Sequence, residues 1–221
     1  MSKAMKIKKQ IPNLLCLFRV AAAPVIMFML LYDNYISKWF PFNNLNGTAF
    51  GKHMDQWFDT TNSHIILIAG FVFLAAIISD VFDGYYARKY DAVSDTGKWL
   101  DPLADKLLII GTLIAFYILN YEPGTRRIMI WPLMIIIIRE LVVTILRSYC
   151  AKKGTVIAAM LWGKLKTFSQ TVALIFCFIF DYVHFPLVGQ YMVCIAAAIT
   201  FISLFPYLFM FYKTIFKSEG K

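Results

Sequence analysis

Residues 65–79 read IILIAGFVFLAAIIS, and the next nine, Asp80–Arg88, read DVFDGYYAR. The first stretch is the core of an apolar run, Ile65–Tyr86, and a bilayer-spanning helix needs about 20 mostly apolar residues. The second stretch sets two carboxylates at one end of that run. Five further apolar runs flank it: Leu14–Leu31, Leu100–Leu119, Ile128–Ser148, Thr167–Phe180 with a polar lead-in, and Val188–Tyr212. Six spans in 221 residues predict an all-α, polytopic membrane protein with six transmembrane helices, forming a single domain over residues 1–221. That domain includes a basic N-terminal segment (1–13), a long outer loop (32–63) and a basic C-terminal tail (213–221).

Composition leads to the same conclusion. Hydrophobic residues make up 60% of the chain and charged residues 16%, where a soluble domain carries about 45–50% and about 25%. Mean hydropathy is +0.65. Such a chain is neither disordered nor a disulfide scaffold, and one soluble core cannot hide its apolar excess. Leu14–Leu31 is longer than the apolar core of a signal peptide, about 7–15 residues, and carries Arg19 and Pro24, so it reads as a retained first span. The four cysteines (Cys16, Cys150, Cys177, Cys194) form no C-x-x-C pair and read as buried thiols. His53, His64 and His184 do not cluster, which argues against a histidine zinc site.

The net charge of +9 would suggest nucleic acid in a soluble protein. In a membrane protein it reflects cytoplasmic loops and anionic head groups, and no nucleic-acid partner is expected. With the N-terminus inside, the inner segments hold most of the lysines and arginines, among them Lys3, Lys6, Lys8, Lys9, Arg19, Arg88, Lys106, Arg147, Lys164 and Lys166. The outer segments hold only Lys38, Lys52, Arg126 and Arg127. This bias puts both termini in the cytoplasm. The N-terminal segment reads either as a short amphipathic piece on the inner surface or as a flexible basic tail. Loop 32–63, with Trp39, Phe40, Phe42, Trp57 and Phe58, reads as an interfacial loop with its rings at head-group level rather than as a substrate site.

Charges within spans are costly, so each marks a functional hypothesis. Asp80 and Asp83 lie near the inner end of the second span, and Asp101 and Asp105 at the inner start of the third. Spacings of three and four put each pair on one helix face. The short connection Lys89–Lys98 allows the two helices to be antiparallel neighbours whose acidic faces meet. Four converging carboxylates repel unless a cation compensates. Without histidine or thiolate they suit hard divalent ions, Mg²⁺ or Mn²⁺, and a two-metal site can clamp a phosphoryl group. Gly84 and Gly97 allow close approach of a phosphate or ribose, Ala87 keeps the face open, and Arg88 offers a planar fork to a diphosphate. Snorkelling charges at a membrane edge account for one or two aspartates, but poorly for four at this spacing.

Asp80–Arg88 followed by Gly97–Asp105 (GKWLDPLAD) fits D-x2-D-G-x2-A-R-x8-G-x3-D-x3-D at each of eight fixed positions. This resembles the signature of the CDP-alcohol phosphatidyltransferases. The resemblance implies that Asp80, Asp83 and Asp101 hold two divalent metal ions, with Asp105 beside the second and acting as proton acceptor. It implies that Asp83, Gly84, Ala87, Arg88, Ser94 and Gly97 line the site for the CDP part of CDP-diacylglycerol. Asn13-Leu14-Leu15-Cys16 looks like the family's N-terminal nucleotide contact, although many relatives have threonine where this chain has Cys16. The resemblance also implies a homodimer in a bacterial cytoplasmic membrane.

The acceptor is addressed by other charges in the spans. Arg139, Glu140 and Arg147 lie on the fourth span, and Lys164, Lys166 and Gln170 open the fifth. Several cations aimed at one cavity suit a phosphorylated acceptor. Alternatively, Arg139 and Glu140 form a buried pair while Lys164 and Lys166 act as positive-inside anchors. The pattern R-E-x6-R, then G-K-x-K-T-x2-Q, with Ile11-Pro12-Asn13-Leu14-Leu15 near the start, resembles the phosphatidylglycerophosphate synthases. That resemblance implies glycerol 3-phosphate as acceptor, held by Arg139, Arg147, Lys164, Lys166 and Gln170. The competing readings are an inositol-phosphate or serine acceptor and, from another class, a divalent-cation transporter. A transporter places its acidic groups near the bilayer midplane, whereas these lie toward one edge.

Overall fold

The computed structural model describes residues 3–31, 63–90, 95–119, 128–152, 161–183 and 185–218; within these, the side chains at 3–13, 63, 81, 83–90, 95–102 and 214–218 are not described. Every regular element among the described residues is a helix: α1 (Lys3–Leu31), α2 (Ser63–Tyr90), α3 (Asp95–Ile118), α4 (Ile130–Lys152), α5 (Leu161–Tyr182), α6 (Pro186–Ile202) and α7 (Leu204–Ser218). Each expected run lies on a helix. The basic N-terminal segment is helical from Lys3 and continuous with the first span. The outer loop lies outside the described residues.

The sixth run is divided. Pro186 starts α6 in its first turn, where a missing N–H costs nothing. Pro206 then removes the N–H that would bond the carbonyl of Ile202, and the helix breaks at Ser203. The Ser203 hydroxyl donates to the Thr200 carbonyl at 2.6 Å, giving the polar group a partner at the break. Taken together, α6 and α7 present one apolar stretch, Pro186–Lys213, long enough to cross a membrane. Leu14–Leu31 and Leu161–Tyr182 are also long and apolar enough, and His64–Asp80 forms a shorter apolar helix.

α1 packs against both α2 and α3, α5 against α2 and α6, and α4 against α6 and α7. Among the described residues α2 and α3 are each packed chiefly on α1, while the connection between them lies outside the described residues. Connection length limits how far apart two helices can be, but does not prevent a third from lying against both. Phe178 of α5 ties α2 and α3 together, with its ring 5.5 Å from Phe73 and 4.9 Å edge-on from Phe116. Such aromatic pairs contribute about 0.5–1.5 kcal/mol beyond the area they bury. Gly189 lets α6 close on α5, since a Cβ there would lie 2.9 Å from the Cys177 Cα; small residues permit such backbone approach between membrane helices. Cys16, Cys150 and Cys177 are buried and Cys194 half-buried.

Large apolar side chains also cover the outside, including Leu14, Phe71, Ile145, Phe168 and Phe209. A water-soluble protein rarely exposes so much contiguous apolar surface. The apolar helices mark a membrane protein.

Candidate active site

The acidic and basic groups meet on the same side of the bundle. Arg19 of α1 is completely buried. Its Nη1 donates to Oδ1 of Asp105 at 2.5 Å and lies 2.7 Å from Oδ1 of Asp80. One guanidinium thus brings Asp80 of α2 and Asp105 of α3 to a common point, which is how the two acidic helices converge although both pack on α1. Both carboxylates remain about half-exposed, at 49% for Asp80 and 43% for Asp105, so they can be reached from the cavity. Cys16 is buried one turn before Arg19.

Asp83, Gly84, Ala87 and Arg88 lie on α2, Gly97 and Asp101 on α3, and Asn13 on α1. Their side chains, and Ser94 altogether, lie outside the described residues. Among the described residues no three metal-ligating side chains converge. The pair that does converge fits a divalent ion: its donors are all carboxylate oxygens, the choice of hard cations, and both carboxylates border the cavity.

The second cluster is built on α4, α5 and α7. Glu140 accepts from Arg139 Nη1 at 3.3 Å and from Lys166 Nζ. Arg139 and Lys166 are 4% and 8% exposed, so Lys166 is a buried, paired cation rather than an interfacial anchor. Arg139 Nε and Nη2 are buried and have no hydrogen-bond partner among the described residues. Such orphaned donors are rare in folded proteins and call for a ligand or water. Arg147 Nη2 donates to the Tyr207 hydroxyl at 2.9 Å, and Lys106 of α3 donates to Thr144 at 2.7 Å. Gln170 is buried, its amide nitrogen donating to Thr200 of α6 at 3.0 Å, so part of its capacity ties α5 to α6.

A cavity of about 510 Å³ joins the two clusters. Asp80 and Asp105 line it on one side, and Arg139, Glu140, Arg147, Lys164, Lys166 and Tyr207 on the other. Gln170 lines a smaller neighbouring recess, also bordered by Asp105, Arg147 and Lys166. The described acidic residues therefore share one space with the cations expected to hold the acceptor.

Sequence reasoning missed three groups here. Arg19 reads from sequence as a charge inside the first apolar run and as part of the positive-inside bias, but its place in the run also marks it as a candidate site residue. Lys106 was likewise absorbed into the charge bias. Tyr207 lies in an aromatic-rich stretch and had no distinguishing mark.

The chain is 38% identical over 183 residues to the CDP-diacylglycerol–glycerol-3-phosphate 3-phosphatidyltransferase of Mycoplasma genitalium, covering 82% of this chain and 70% of that one. It is 36% identical over 163 residues to the enzyme of the same name from Bacillus subtilis, covering 74% and 73%. For the enzyme of that name from Rickettsia bellii the identity is 30% over 207 residues, covering 92% and 96%. Residues 9–202, which carry both charge clusters, match the CDP-alcohol phosphatidyltransferase family, and the chain belongs to that family.

Proposed function

We propose that this protein transfers the phosphatidyl group of CDP-diacylglycerol to glycerol 3-phosphate, producing phosphatidylglycerol phosphate and CMP. The observation that carries this reading is the shared cavity: acidic on the side of the family signature and rich in guanidinium and ammonium groups on the other. The names of its relatives specify the same donor and acceptor. Family membership makes the chain an enzyme and sets aside the transporter reading.

In this reading the lipid enters from the bilayer with its diphosphate beside α2. Arg88, Gly84, Ala87, Ser94, Gly97, Asn13 and Cys16 receive the CDP moiety. Asp80, Asp83, Asp101 and Asp105 would hold two divalent ions, Mg²⁺ or Mn²⁺, which when bound supply charge neutralisation of the diphosphate. Arg139, Arg147, Lys164 and Lys166 hold the phosphate of glycerol 3-phosphate, with Gln170 beside it. The acceptor hydroxyl thereby faces Asp105. Asp105 takes the hydroxyl proton, the oxygen bonds to the phosphorus next to the lipid, and the bond from that phosphorus to CMP breaks. Arg19 fixes one oxygen of Asp105 and so its orientation. Positioning and charge complementarity supply most of the acceleration.

The charge bias further supports six spans with both termini and the site on the cytoplasmic side, in a bacterial cytoplasmic membrane. A homodimer and a single domain complete the reading. The test is an acceptor panel: purified protein, CDP-diacylglycerol and Mg²⁺ with glycerol 3-phosphate, inositol phosphate or serine in turn. CMP release with glycerol 3-phosphate alone is expected. Preferred use of inositol phosphate or serine would overturn the acceptor assignment.

A further inference from the structure

Tyr207 is fully buried on α7, just beyond the Ser203 break, and borders the cavity. Its ring lies 5.3 Å from the Arg139 guanidinium carbon and 5.1 Å from that of Arg147. Its hydroxyl accepts from Arg147 Nη2 at 2.9 Å. Arg139 and Arg147 are eight residues apart on α4, about 12 Å along a helix axis. Two like charges do not gather at one ring unaided. The electron-rich face attracts both, and the hydroxyl fixes the second. The opposite wall is adapted to this ring: a Cβ at Gly163 would stand 2.7 Å from the Tyr207 oxygen and 3.9 Å from the ring carbon bearing it. Glycine at 163 therefore leaves room for the hydroxyl, and only for that atom is the space critical.

We propose that Tyr207 is a positioning residue for the acceptor. It draws Arg139 and Arg147 together so that their N–H groups converge on a phosphate dianion, and Gly163 keeps its hydroxyl in place. The two unpartnered nitrogens of Arg139 are donors that such an anion would satisfy. This rests on the acceptor-pocket reading above and adds to it a residue that need not touch the substrate.

The test measures KM for glycerol 3-phosphate and for CDP-diacylglycerol, and competitive inhibition by inorganic phosphate, in Tyr207→Phe, Tyr207→Leu, Gly163→Ala and the double variant Gly163→Ala/Tyr207→Phe. Tyr207→Phe keeps the ring and loses the hydroxyl, so the acceptor KM should rise about five-fold, the scale of an ordinary hydrogen bond, because the loss reaches the substrate only through Arg147. Tyr207→Leu loses both and should raise it about ten-fold or more. The phosphate inhibition constant should rise in proportion, and the donor KM should stay unchanged. Gly163→Ala alone should raise the acceptor KM, whereas the double variant should be no worse than Tyr207→Phe, because the atom the methyl would strike is gone. That non-additivity is not expected of general destabilisation, and it can be read even if the leucine variant fails to fold. Additive effects of the two substitutions, or equal changes in both KM values, would overturn the proposal. Should Arg147→Ala raise the acceptor KM while Tyr207→Phe does not, the positioning role fails and the pocket stands. Should Arg139→Ala and Arg147→Ala both leave the acceptor KM unchanged, the pocket itself fails, and the positioning role with it.

Discussion

The cavity is bounded by two charge clusters of opposite design. On the α1–α2–α3 side, one buried cation, Arg19, is set between two carboxylates, Asp80 and Asp105. On the α4–α5 side, one carboxylate, Glu140, is set between two buried cations, Arg139 and Lys166, with Arg147 nearby. In each, a single residue of the minority sign holds the others in place and leaves an excess of the majority sign. Buried charges without partners are strongly unfavourable, and breaking a pair costs more than the pair contributes. The minority residue therefore makes each cluster tolerable without ligand, and in the proposed function the acidic side would receive divalent cations and the basic side a phosphate.

The harshest way to break this symmetry is Asp105→Asn. The substitution keeps the side-chain shape and a hydrogen-bonding oxygen for Arg19 but cannot accept a proton. Turnover should fall by about 10²–10⁴-fold, the usual contribution of general-base catalysis, while binding of CDP-diacylglycerol persists. Single-turnover CMP release alongside a lipid-binding assay separates the two, and near wild-type turnover would remove Asp105 from its role.

Arg19→Met sharpens the comparison at its other pole. The variant retains an apolar stem on α1 and leaves Asp80 and Asp105 without their shared cation. Turnover should fall by about 10–100-fold, since a misplaced catalytic group costs on this scale. Thermal stability in EDTA should also fall, and added Mg²⁺ should raise the melting temperature more in the variant than in the wild type, because a metal then relieves a repulsion that Arg19 otherwise holds down. EDTA should abolish wild-type activity and Mg²⁺ or Mn²⁺ restore it. An equal Mg²⁺-induced shift in both proteins would show that Arg19 is not a counter-ion of the metal-binding carboxylates.

On the basic side the effect should be selective rather than global. Arg147→Ala removes a cation that lines the cavity without being part of the Glu140 pair. Charged hydrogen bonds contribute about 1.5–3 kcal/mol, and each 1.4 kcal/mol is about ten-fold. The KM for glycerol 3-phosphate should therefore rise about ten-fold or more while that for CDP-diacylglycerol moves little. Equal weakening of both would assign Arg147 to packing of α4 on α7.

These two clusters differ in how far sequence alone exposed them. The acidic one was marked by four aspartates at helical spacings of three and four, a pattern that survives without three-dimensional information. Its organising residue was hidden because Arg19 also fits the count of cytoplasmic charges, and because α1 is remote in sequence from both acidic helices. Arg139 and Arg147 stood out as charges in an apolar run and Lys166 in the polar lead-in of the next, but the ring shared by the two arginines did not, since nothing local separates Tyr207 from its aromatic neighbours. Helices themselves were legible from apolar length. The break at Ser203 could have been read from Pro206, while the packing of α2 and α3 on α1 depends on contacts that no connection length specifies.

Lys164 and Lys166 provide the smallest and most discriminating test, because they lie two residues apart on α5 and both line the cavity. Lys166 is buried against Glu140, whereas Lys164 is exposed at the edge of the cavity. An exposed ammonium interacts through water and salt, and exposed pairs are worth about 0–1 kcal/mol. Lys164→Ala should consequently change the acceptor KM by about two-fold at most, with the difference vanishing at high ionic strength. Lys166→Ala should act more strongly and independently of salt, since it removes a buried cation that lines the cavity and is paired with Glu140. Measuring both KM values at low and high salt decides the matter. A large, salt-insensitive effect at Lys164 would mean that the phosphate lies nearer the mouth of the cavity than the Arg139–Tyr207–Arg147 arrangement implies.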